Sequence, residues 1–303
     1  MTVSSVFSPT LYTPATTPVS KQLALVNGWH ADVRRVVLCT EDAIAETDIP
    51  LAIDNLRVVL AGAERDTGTT TYVRARNVDV LRQILDVPGV EKLRGFVIPK
   101  ADPESLSHYI DLLQGTDFTV MPILESHRMF DWSYRTALLH ATLAYSSHIE
   151  CLRIGGNDLL GYLGIRRPTA RFTIYDTPIG GLIGEIIREF RGVGGFTVTA
   201  PVFECYGPAY DDLLRAEVSR HIMNGLFGQT VIHPRHLRLI EDMYRVSSDD
   251  LESALSLKGA TTAITGLNDR MDEHTTHWRW ADTVLERYRV FGDDQQPAAV
   301  VGL

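Results

Sequence analysis

The chain has 303 residues, which suffices for one barrel of about 250 residues or for two smaller domains. Its hydrophobic fraction of 45% and charged fraction of 22% are typical of a globular protein. The formal net charge of -9 argues against a nonspecific nucleic-acid partner or an anionic membrane surface. An anionic small substrate would therefore need a local cluster of positive charge.

The cysteines and the N-terminus bear on the compartment. Cys39, Cys151 and Cys205 lie far apart and show no metal-type spacing. An odd cysteine count, with no secretory signal at the N-terminus, predicts reduced thiols and a cytoplasmic protein. No run approaches about 18 apolar residues, the length of a membrane helix, so no membrane span is expected.

Short apolar runs alternate with longer amphipathic segments, a pattern typical of repeated βα units. Eight runs are candidate strands, at residues 10–13, 35–39, 71–75, 95–98, 118–124, 149–154, 196–202 and 229–232. Helical periodicity follows most of them, as at residues 105–113, 132–145, 181–191 and 210–224. Eight units fit a closed barrel better than an open sheet. The predicted fold class is therefore α/β, a (β/α)8 barrel over residues 1–246.

The pattern changes beyond the eighth unit. Residues 247–257 predict a helix with acidic residues in its first turn. Residues 269–291 (DRMDEHTTHWRWADTVLERYRVF) predict a second amphipathic helix. Residues 247–303 are thus predicted as a C-terminal helical extension, with a mobile end from residue 292.

Two carboxylates follow apolar strands. Glu125 comes directly after residues 118–124, and Asp158 follows two glycines in IECLRIGGNDLLG. The carboxyl ends of barrel strands meet at one rim, and two carboxylates there suit a hard divalent cation that takes its other ligands from water and substrate. Glu125 and Asp158 are therefore predicted metal ligands. The alternative is two solvated loop carboxylates.

Arginines and acids follow the neighbouring strands. Arg74 and Arg76 in YVRARN lie two residues apart, so they share a strand face. A buried arginine needs a counter-ion, which a substrate carboxylate, Glu41 or Asp42 would supply. Arg74, but not Arg76, is predicted to bind substrate. Glu41 and Asp42 are candidate catalytic groups that fix the arginine or hold metal waters, and they would equally suit the cap of the next helix.

Lys100 and Asn157 complete the candidate substrate-binding residues. Lys100 follows the fourth strand, and Asn157 adjoins Asp158. A lysine at the end of a barrel strand can form a Schiff base with a carbonyl substrate, although pairing with an acidic residue at the rim is the favoured interpretation.

The residues together resemble the HpcH/HpaI aldolase and citrate lyase β-subunit superfamily of TIM-barrel carbon–carbon lyases. The similarity runs from the first strand to the tail helix and is carried by Glu41-Asp42-Ala43, Arg74, Pro99-Lys100, Glu125 in PILES, Asp158 in GGNDLLG and Ile232-His233-Pro234. It implies a metal-dependent lyase or aldolase, with Mg²⁺ or Mn²⁺, that cleaves or forms a bond next to the carbonyl of a small oxo or hydroxy acid. Arg74 would bind the substrate carboxylate or the developing oxyanion.

The resemblance also implies a function for the C-terminal extension. In related lyases a C-terminal segment packs on a neighbouring subunit and supplies an acid from a Met-x-Asp pattern, to which Met271-Asp272 is similar. The resemblance therefore implies that Asp272 is a catalytic acid in a neighbour's site and that the protein is a homo-oligomer, a trimer or a multiple of one. A helix N-cap would look the same in sequence.

Two departures from the family keep alternatives open. Cys39 stands where the family's acidic motif begins with Asp, and Pro14-Ala15-Thr16-Thr17 stands where relatives have Pro-Gly-x-Arg, which helps to bind phosphorylated or coenzyme A substrates. Use of a coenzyme A thioester is left open. So are a noncatalytic barrel that binds a metabolite or partner, a Schiff-base aldolase using Lys100, and an enzyme for phosphate-bearing substrates, which the arginine-rich insertion at residues 164–180 would suit.

Overall fold

The structure is a computed structural model that describes residues 5–167, 171–259, 264–267 and 270–295. The remaining residues include the last part of the predicted mobile end, from residue 296, which lies outside the described residues. In the described part of the chain, every helix is too short or too polar to cross a lipid bilayer.

The barrel consists of a single sheet whose neighbouring strands are all parallel. Its strands are β1 (Thr10–Pro14), β2 (Arg35–Cys39), β3 (Thr70–Arg74), β4 (Gly95–Ile98), β5 (Thr119–Leu124), β6 (Leu152–Ile154), β7 (Val198–Thr199) and β8 (Thr230–Val231). The sheet runs in the order β7-β6-β5-β4-β3-β2-β1-β8. Between its ends, Ala200 N donates to Phe227 O at 2.9 Å and Thr230 N donates to Ala200 O at 3.3 Å. The predicted (β/α)8 barrel is confirmed.

Helices connect the strands around the outside. They are α1 (Val19–Val26), α2 (Ile49–Gly62), α3 (Val78–Leu85), α4 (Pro103–Leu112), α5 (Trp132–Ala144), α6 (Gly156–Tyr162), α7 (Ile179–Ile186), α8 (Asp211–Met223) and α9 (Arg235–Tyr244). Side-chain caps begin several of them: Asn77 accepts from Val80 N at 2.9 Å, and Asp102 forms a capping box at α4. The helix predicted at residues 181–191 is corrected, since α7 ends at Ile186 and continues as a wider π-helical stretch over Ile187–Val193.

Successive side chains of each strand point alternately into the barrel interior and into the outer core, where the helices pack. On β6, Leu152 and Ile154 pack among the helix residues of an outer cluster. Cys151 instead joins a small cluster drawn from several strands, with Val37, Tyr72, Val97, Met121 and Ile123. Because successive side chains of a strand point to opposite faces, Arg153 shares the interior face with Cys151.

A polar cluster closes the interior at the amino-terminal ends of the strands. Glu150 accepts hydrogen bonds from Arg35 Nη2 at 2.7 Å, from Tyr72 Oη at 2.8 Å and from Thr119 Oγ1 at 2.8 Å. Burial alone would raise the pKa of Glu150, but the charge and hydrogen bond of Arg35 lower it overall. We call Glu150, Arg35, Tyr72 and Thr119 the barrel floor.

The tail contains a strand pair as well as helices. Its elements are α10 (Ser248–Gly259), β9 (Ile264–Leu267), β10 (Arg270–Glu273) and α11 (His274–Phe291). The prediction of a helix from residue 269 is wrong at its start, because residues 270–273 pair antiparallel with β9, with Asp272 opposite Thr265. The residue before α11 is Glu273, so Asp272 is not its N-cap.

The tail helices pack together and meet the barrel segment. Ala254 and Leu257 of α10 are buried against Ala281 and Val284 of α11. Val246, which precedes α10, forms a parallel bridge with Asp293. The division of the chain at residue 246 and the packing of the tail on a neighbouring subunit stay predictions.

The arginine-rich insertion is anchored on α8 by a buried ion pair. Arg167 pairs with Glu217, and both side chains are fully buried. Glu217 also accepts from Ile174 N at 2.7 Å. His221, one helical turn further, lies beside the Tyr175 ring with centroids 5.6 Å apart. Arg167 therefore serves the packing of the insertion.

We predict that His221 contributes acid sensitivity to the stability of the protein. Burial, aided by the charge of Arg167, lowers the pKa of His221 from 6.5 to about 3. Between these values the unfolded chain binds a proton that the folded protein does not, so stability is lost as the pH falls. The contribution is about 1.4 kcal/mol of unfolding free energy per pH unit.

Urea unfolding at a series of pH values measures the effect. The expected result is a flatter pH dependence below pH 6.5 in His221→Leu than in the wild type. Replacing the exposed His140 by Leu is the matched control and should leave the slope unchanged. Equal slopes for the wild type and His221→Leu would contradict the prediction.

Candidate active site

A cavity of about 900 Å³ opens at the carboxyl ends of the strands. Six of the predicted site residues line it: Asp42, Arg74, Lys100, Asn157, Glu125 and Asp158. A cavity of this size at this rim is where barrel enzymes place their chemistry. Glu41 lies immediately behind the lining, in contact with Arg74 and Lys100.

Glu125 is held at the end of β5 and is only 2% exposed, so it is no solvated loop carboxylate. Its Oε1 accepts from the backbone N of Lys100 at 2.8 Å. Lys100 has a φ of 46°, a left-handed conformation that is uncommon for a residue with a side chain. Strained backbone of this kind persists where the surrounding structure imposes it, often beside a functional group.

Asp158 reaches the same cavity from the first turn of α6. The chain before it passes very close to Glu125: a Cβ at position 155 would lie 2.3 Å from both Glu125 Cβ and Glu125 Oε2. Only glycine permits this approach. Gly155 is thus required where β6 brings α6 and Asp158 alongside Glu125.

Burial and neighbouring charges shift the pKa values of both carboxyl groups. Burial and then the charge of Asp158 raise the pKa of Glu125 to about 8. Burial and then the charge of Asp42 raise the pKa of Asp158. Among the described residues, no group of three or more His, Cys, Asp or Glu side chains is arranged to hold a metal. Two carboxyl groups that line one cavity suit a hard cation that draws its remaining ligands from water and substrate.

A cationic group lies on another side of the cavity. Arg74 Nη1 is 3.2 Å from Glu41 Oε2 and 3.6 Å from Asp42 Oδ2, and its Nε donates to Cys39 Sγ at 3.1 Å. Burial acts to lower the pKa of Arg74, but Cys39 and Glu41 raise it overall, so the guanidinium stays charged. Since α2 begins at Ile49, neither Glu41 nor Asp42 caps it.

Lys100 shares the same acidic partners. Its Nζ is 3.1 Å from Glu41 Oε1 and 3.5 Å from Asp42 Oδ1. Burial acts to lower the pKa of Lys100, whereas the hydrogen bond and charge of Glu41 raise it overall. A Schiff-base lysine has to be deprotonated to attack a carbonyl, and these contacts favour the ammonium form.

Neither Asp272, a predicted catalytic residue, nor Arg76, which is not predicted to bind substrate, is among the residues that line the cavity. Asp272 is 4% exposed in the tail, with Oδ1 at 3.7 Å from His277 Nδ1, and it is not among the residues that line the cavity. Arg76 donates to Glu41 O at 3.0 Å and to Ile44 O at 2.7 Å, which braces the loop after β2.

The lining residues that sequence reasoning missed include Tyr12, Arg153 and Thr230. Arg153 and Tyr12 lie on apolar strands, where a single polar residue is easily counted as part of the core. The segment CLRI contained a signal for Arg153, because a charged residue in a buried strand needs a functional or structural partner.

A scan against protein-family models matches residues 3–293 to a family described as carbon–carbon bond lyases of the TIM-barrel fold. The chain belongs to this family. It is a carbon–carbon lyase by that membership, and the resemblance inferred from its motifs is confirmed. A search of curated proteins gave no significant match.

Solved structures share the fold at low sequence identity. A citrate lyase from Burkholderia xenovorans has a TM-score of 0.68 at 16% identity, over 95% of this chain and 92% of its own. The CitE protein of Mycobacterium tuberculosis, solved with magnesium, acetoacetate and coenzyme A, has a TM-score of 0.64 at 18% identity, over 92% of this chain and 97% of its own. A malate synthase of Haloferax volcanii, solved as a lead(II) complex, has a TM-score of 0.61 at 15% identity, over 78% of this chain and 72% of its own.

We predict that Gly155→Ala disrupts the site, because the added Cβ would overlap Glu125. The expected result is loss of about 1–3 kcal/mol of unfolding free energy, or displacement of Glu125 with loss of divalent-cation binding. Thermal unfolding and cation titration measure the two effects. Gly181→Ala, in a helix with nothing within 4 Å of the new Cβ, is the control. Wild-type stability and cation binding in Gly155→Ala would contradict the prediction.

Proposed function

We propose that the protein is a metal-dependent lyase or aldolase that cleaves or forms a carbon–carbon bond next to the carbonyl of a small oxo or hydroxy acid, free or as a thioester. The observation that carries this proposal is the pair Glu125 and Asp158, which shares one cavity with the charged Arg74. A citrate lyase β subunit of similar fold was solved with oxaloacetate and magnesium, which supports both the metal and the class of acid.

Glu125 and Asp158 would hold Mg²⁺ or Mn²⁺, and the cation would supply Lewis-acid stabilisation of an enolate. Arg74 is oriented by Glu41, Asp42 and Cys39, so its remaining donors can bind the substrate carboxylate or the developing oxyanion.

The other lining groups position the substrate. Asn157, exposed beside Asp158, offers an amide to the bound acid. Lys100 supports the site twice, since its backbone N–H binds Glu125 and its ammonium group neutralises Glu41 and Asp42. We propose the ammonium as an electrostatic contact for the substrate. Membership in a family of carbon–carbon bond lyases favours a catalytic site over a noncatalytic barrel that only binds a metabolite or partner.

The pKa of Glu125 gives the metal site a signature. Because that pKa is about 8, the metal-free protein at pH 7 carries a proton that a cation must displace. Mg²⁺ affinity should therefore rise with pH up to about 8 and level off above it. Calorimetric titration of Mg²⁺ in buffers of different ionisation enthalpy measures the released proton.

The variants make the prediction specific. Glu125→Gln and Asp158→Asn should each weaken Mg²⁺ binding at least about tenfold, and Glu125→Gln should also abolish proton release. Glu104→Gln, an exposed acid on α4, is the control and should bind as the wild type does. Unchanged Mg²⁺ binding in Glu125→Gln contradicts the metal site. Turnover that survives a chelator, with borohydride trapping of substrate on Lys100, would instead establish a Schiff base.

We further propose, from the family resemblance, that Asp272 acts in the site of a neighbouring subunit. It is not among the residues that line the cavity of its own chain, which supports a role across an interface. Asp272→Asn and Glu125→Gln proteins should each lose turnover of the oxo or hydroxy acid. Unfolding and refolding them as a mixture should restore part of it, because some sites then combine an intact Glu125 with a neighbour's Asp272.

Each variant refolded alone is the control for this mixing experiment. Full activity of Asp272→Asn, or no gain on mixing two inactive variants, would refute the intersubunit role. Size-exclusion chromatography with light scattering checks at the same time whether the protein forms the trimer, or multiple of one, that the resemblance implies.

A further inference from the structure

The cavity is larger than its charged groups require. Its volume of about 900 Å³ lies near the upper end of the range of about 300–1,000 Å³ that holds drug-sized ligands. A divalent cation and the reacting carbons of an oxo or hydroxy acid at Glu125, Asp158 and Arg74 would fill only part of this space. The rest of the lining therefore bears on what else the substrate carries.

The charged side chains of the lining come from one part of the barrel. In the described lining they lie on or after the strands from β2 to β6, and they are Asp42, Arg74, Lys100, Glu125, Arg153 and Asp158. Arg153 is 2% exposed, and its Nη2 donates to Thr230 Oγ1 at 2.7 Å. Among the described lining residues, none of those on β1 and β8, or in the loops after β7 and β8, is charged.

Apolar side chains line this second part of the rim. Tyr162 ends α6, Val202 lies in the loop after β7, Ile232 directly follows β8, and Pro14 ends β1. β6 pairs with β7, β8 pairs with β1, and backbone hydrogen bonds join the segments of β7 and β8. The four residues therefore form one continuous part of the rim, which we call the apolar arc.

The apolar arc is accessible to a ligand. Tyr162 is 48% exposed and Ile232 is 44% exposed. Single exposed apolar residues are ordinary on a protein surface, but these two line the same cavity. Gly161 lines it too, and a Cβ at that position would meet nothing within 4 Å. The wall beside Tyr162 thus has room for a further ligand group.

Ring contacts hold the segments of the arc in place. Next to Ile232 along the chain, the His233 ring stacks on the Tyr206 ring, with centroids 5.0 Å apart and planes 5° apart. Tyr206 belongs to the loop after β7, so this contact joins that loop to the end of β8. The ring of Tyr162 contacts that of His127, with centroids 5.7 Å apart. An apolar surface that is already formed binds an apolar group at a small cost in ordering.

Helix α6 connects the metal pair to the arc. Asp158 and Tyr162 are four residues apart, so they share a helix face and lie about 6 Å apart along the axis. Asp158 adjoins Glu125 at the buried start of the helix, and Tyr162 lies at its exposed end. A substrate that reacts beside Asp158 would therefore extend its far end along α6 towards the arc.

We propose that the apolar arc binds an apolar part of the substrate, so that the substrate is an oxo or hydroxy acid with an aliphatic or aromatic group remote from the reacting carbonyl. Burial of such a group against these side chains is favourable, whereas a charged end would lose hydration there without a partner. Since none of the described arc residues is basic, a phosphate-bearing carrier fits the arc less well. This assignment rests on the proposed lyase function and deepens it.

Binding of matched acids of different length tests the arc. The probes are 2-hydroxybutanoate and 2-hydroxyoctanoate, which share the carboxylate and hydroxyl groups and differ only in the length of the alkyl chain. Calorimetry in excess Mg²⁺ gives the affinity of each. Because each fully buried methylene group raises affinity about fourfold, the wild type should bind the longer acid at least about tenfold more tightly.

Two variants remove the apolar contact by different means. Gly161→Gln places a polar side chain in the open space beside Tyr162, so the ratio of the two affinities should fall close to one. Ile232→Thr exchanges apolar for polar surface and should lower the ratio by a smaller factor. The matched controls are Gly181→Gln, at an exposed helical glycine with nothing within 4 Å of the new Cβ, and Val58→Thr, at an exposed valine of α2. Both should keep the wild-type ratio.

The variants are chosen to fold. Glutamine is a better helix former than glycine, so Gly161→Gln should preserve α6. Circular dichroism and Mg²⁺ titration check each protein. If Gly161→Gln fails to fold, the ratio of Ile232→Thr against that of Val58→Thr still decides the question.

The outcomes separate this inference from the proposed function. Mg²⁺-dependent binding of both acids with equal affinity overturns the role of the arc and leaves the lyase function standing. A wild-type ratio in both Gly161→Gln and Ile232→Thr also overturns it. Coenzyme A that binds to the wild type but not to Gly161→Gln would assign the arc to a thioester carrier, which overturns the proposal as well. A length preference that needs the arc residues but not Mg²⁺ supports the arc and refutes the metal-dependent function.

Discussion

The site depends on the close approach of β6 to the Glu125 side chain. The backbone at Gly155 leaves no room for a Cβ beside that carboxylate, and this contact sets where α6 begins and therefore where Asp158 points. Burial of Glu125 and the charge of Asp158 raise the pKa of Glu125 to about 8. The relative position of the two carboxyl groups thus has a steric origin, and the raised pKa follows from burial and proximity.

Some charged side chains around the cavity have a partner of opposite charge, and others do not. Glu41 and Asp42 compensate the charges of Arg74 and Lys100. In the proposed function, Arg74 can therefore face the substrate instead of pairing with Glu125 and Asp158. The charge of Asp158 disfavours the ionised form of Glu125, and a bound cation would favour it. Arg153 is held by neutral acceptors alone. A charged side chain without a partner of opposite charge therefore indicates the charge of the ligand that would suit it.

The barrel and most of its rim could be predicted from the sequence, since buried parallel strands are apolar runs and their carboxyl ends converge by topology. That argument located Glu125, Asp158, Arg74 and Lys100 at one cavity. It missed Tyr12 and Arg153, whose positions depend on the inward face of each strand, and this requires the register of the whole barrel. It also placed residues 270–273 in a helix, because pairing with β9 is a long-range contact that local periodicity does not reveal.

The barrel floor has a consequence for how material passes through the enzyme. Glu150 and Arg35, joined by Tyr72 and Thr119, fill the amino-terminal end of the interior with an ion pair whose members would be costly to separate. In the described residues the cavity opens at the opposite rim. We therefore expect both fragments of a cleaved substrate to leave through the opening at this rim, the fragment nearer the mouth before the inner one.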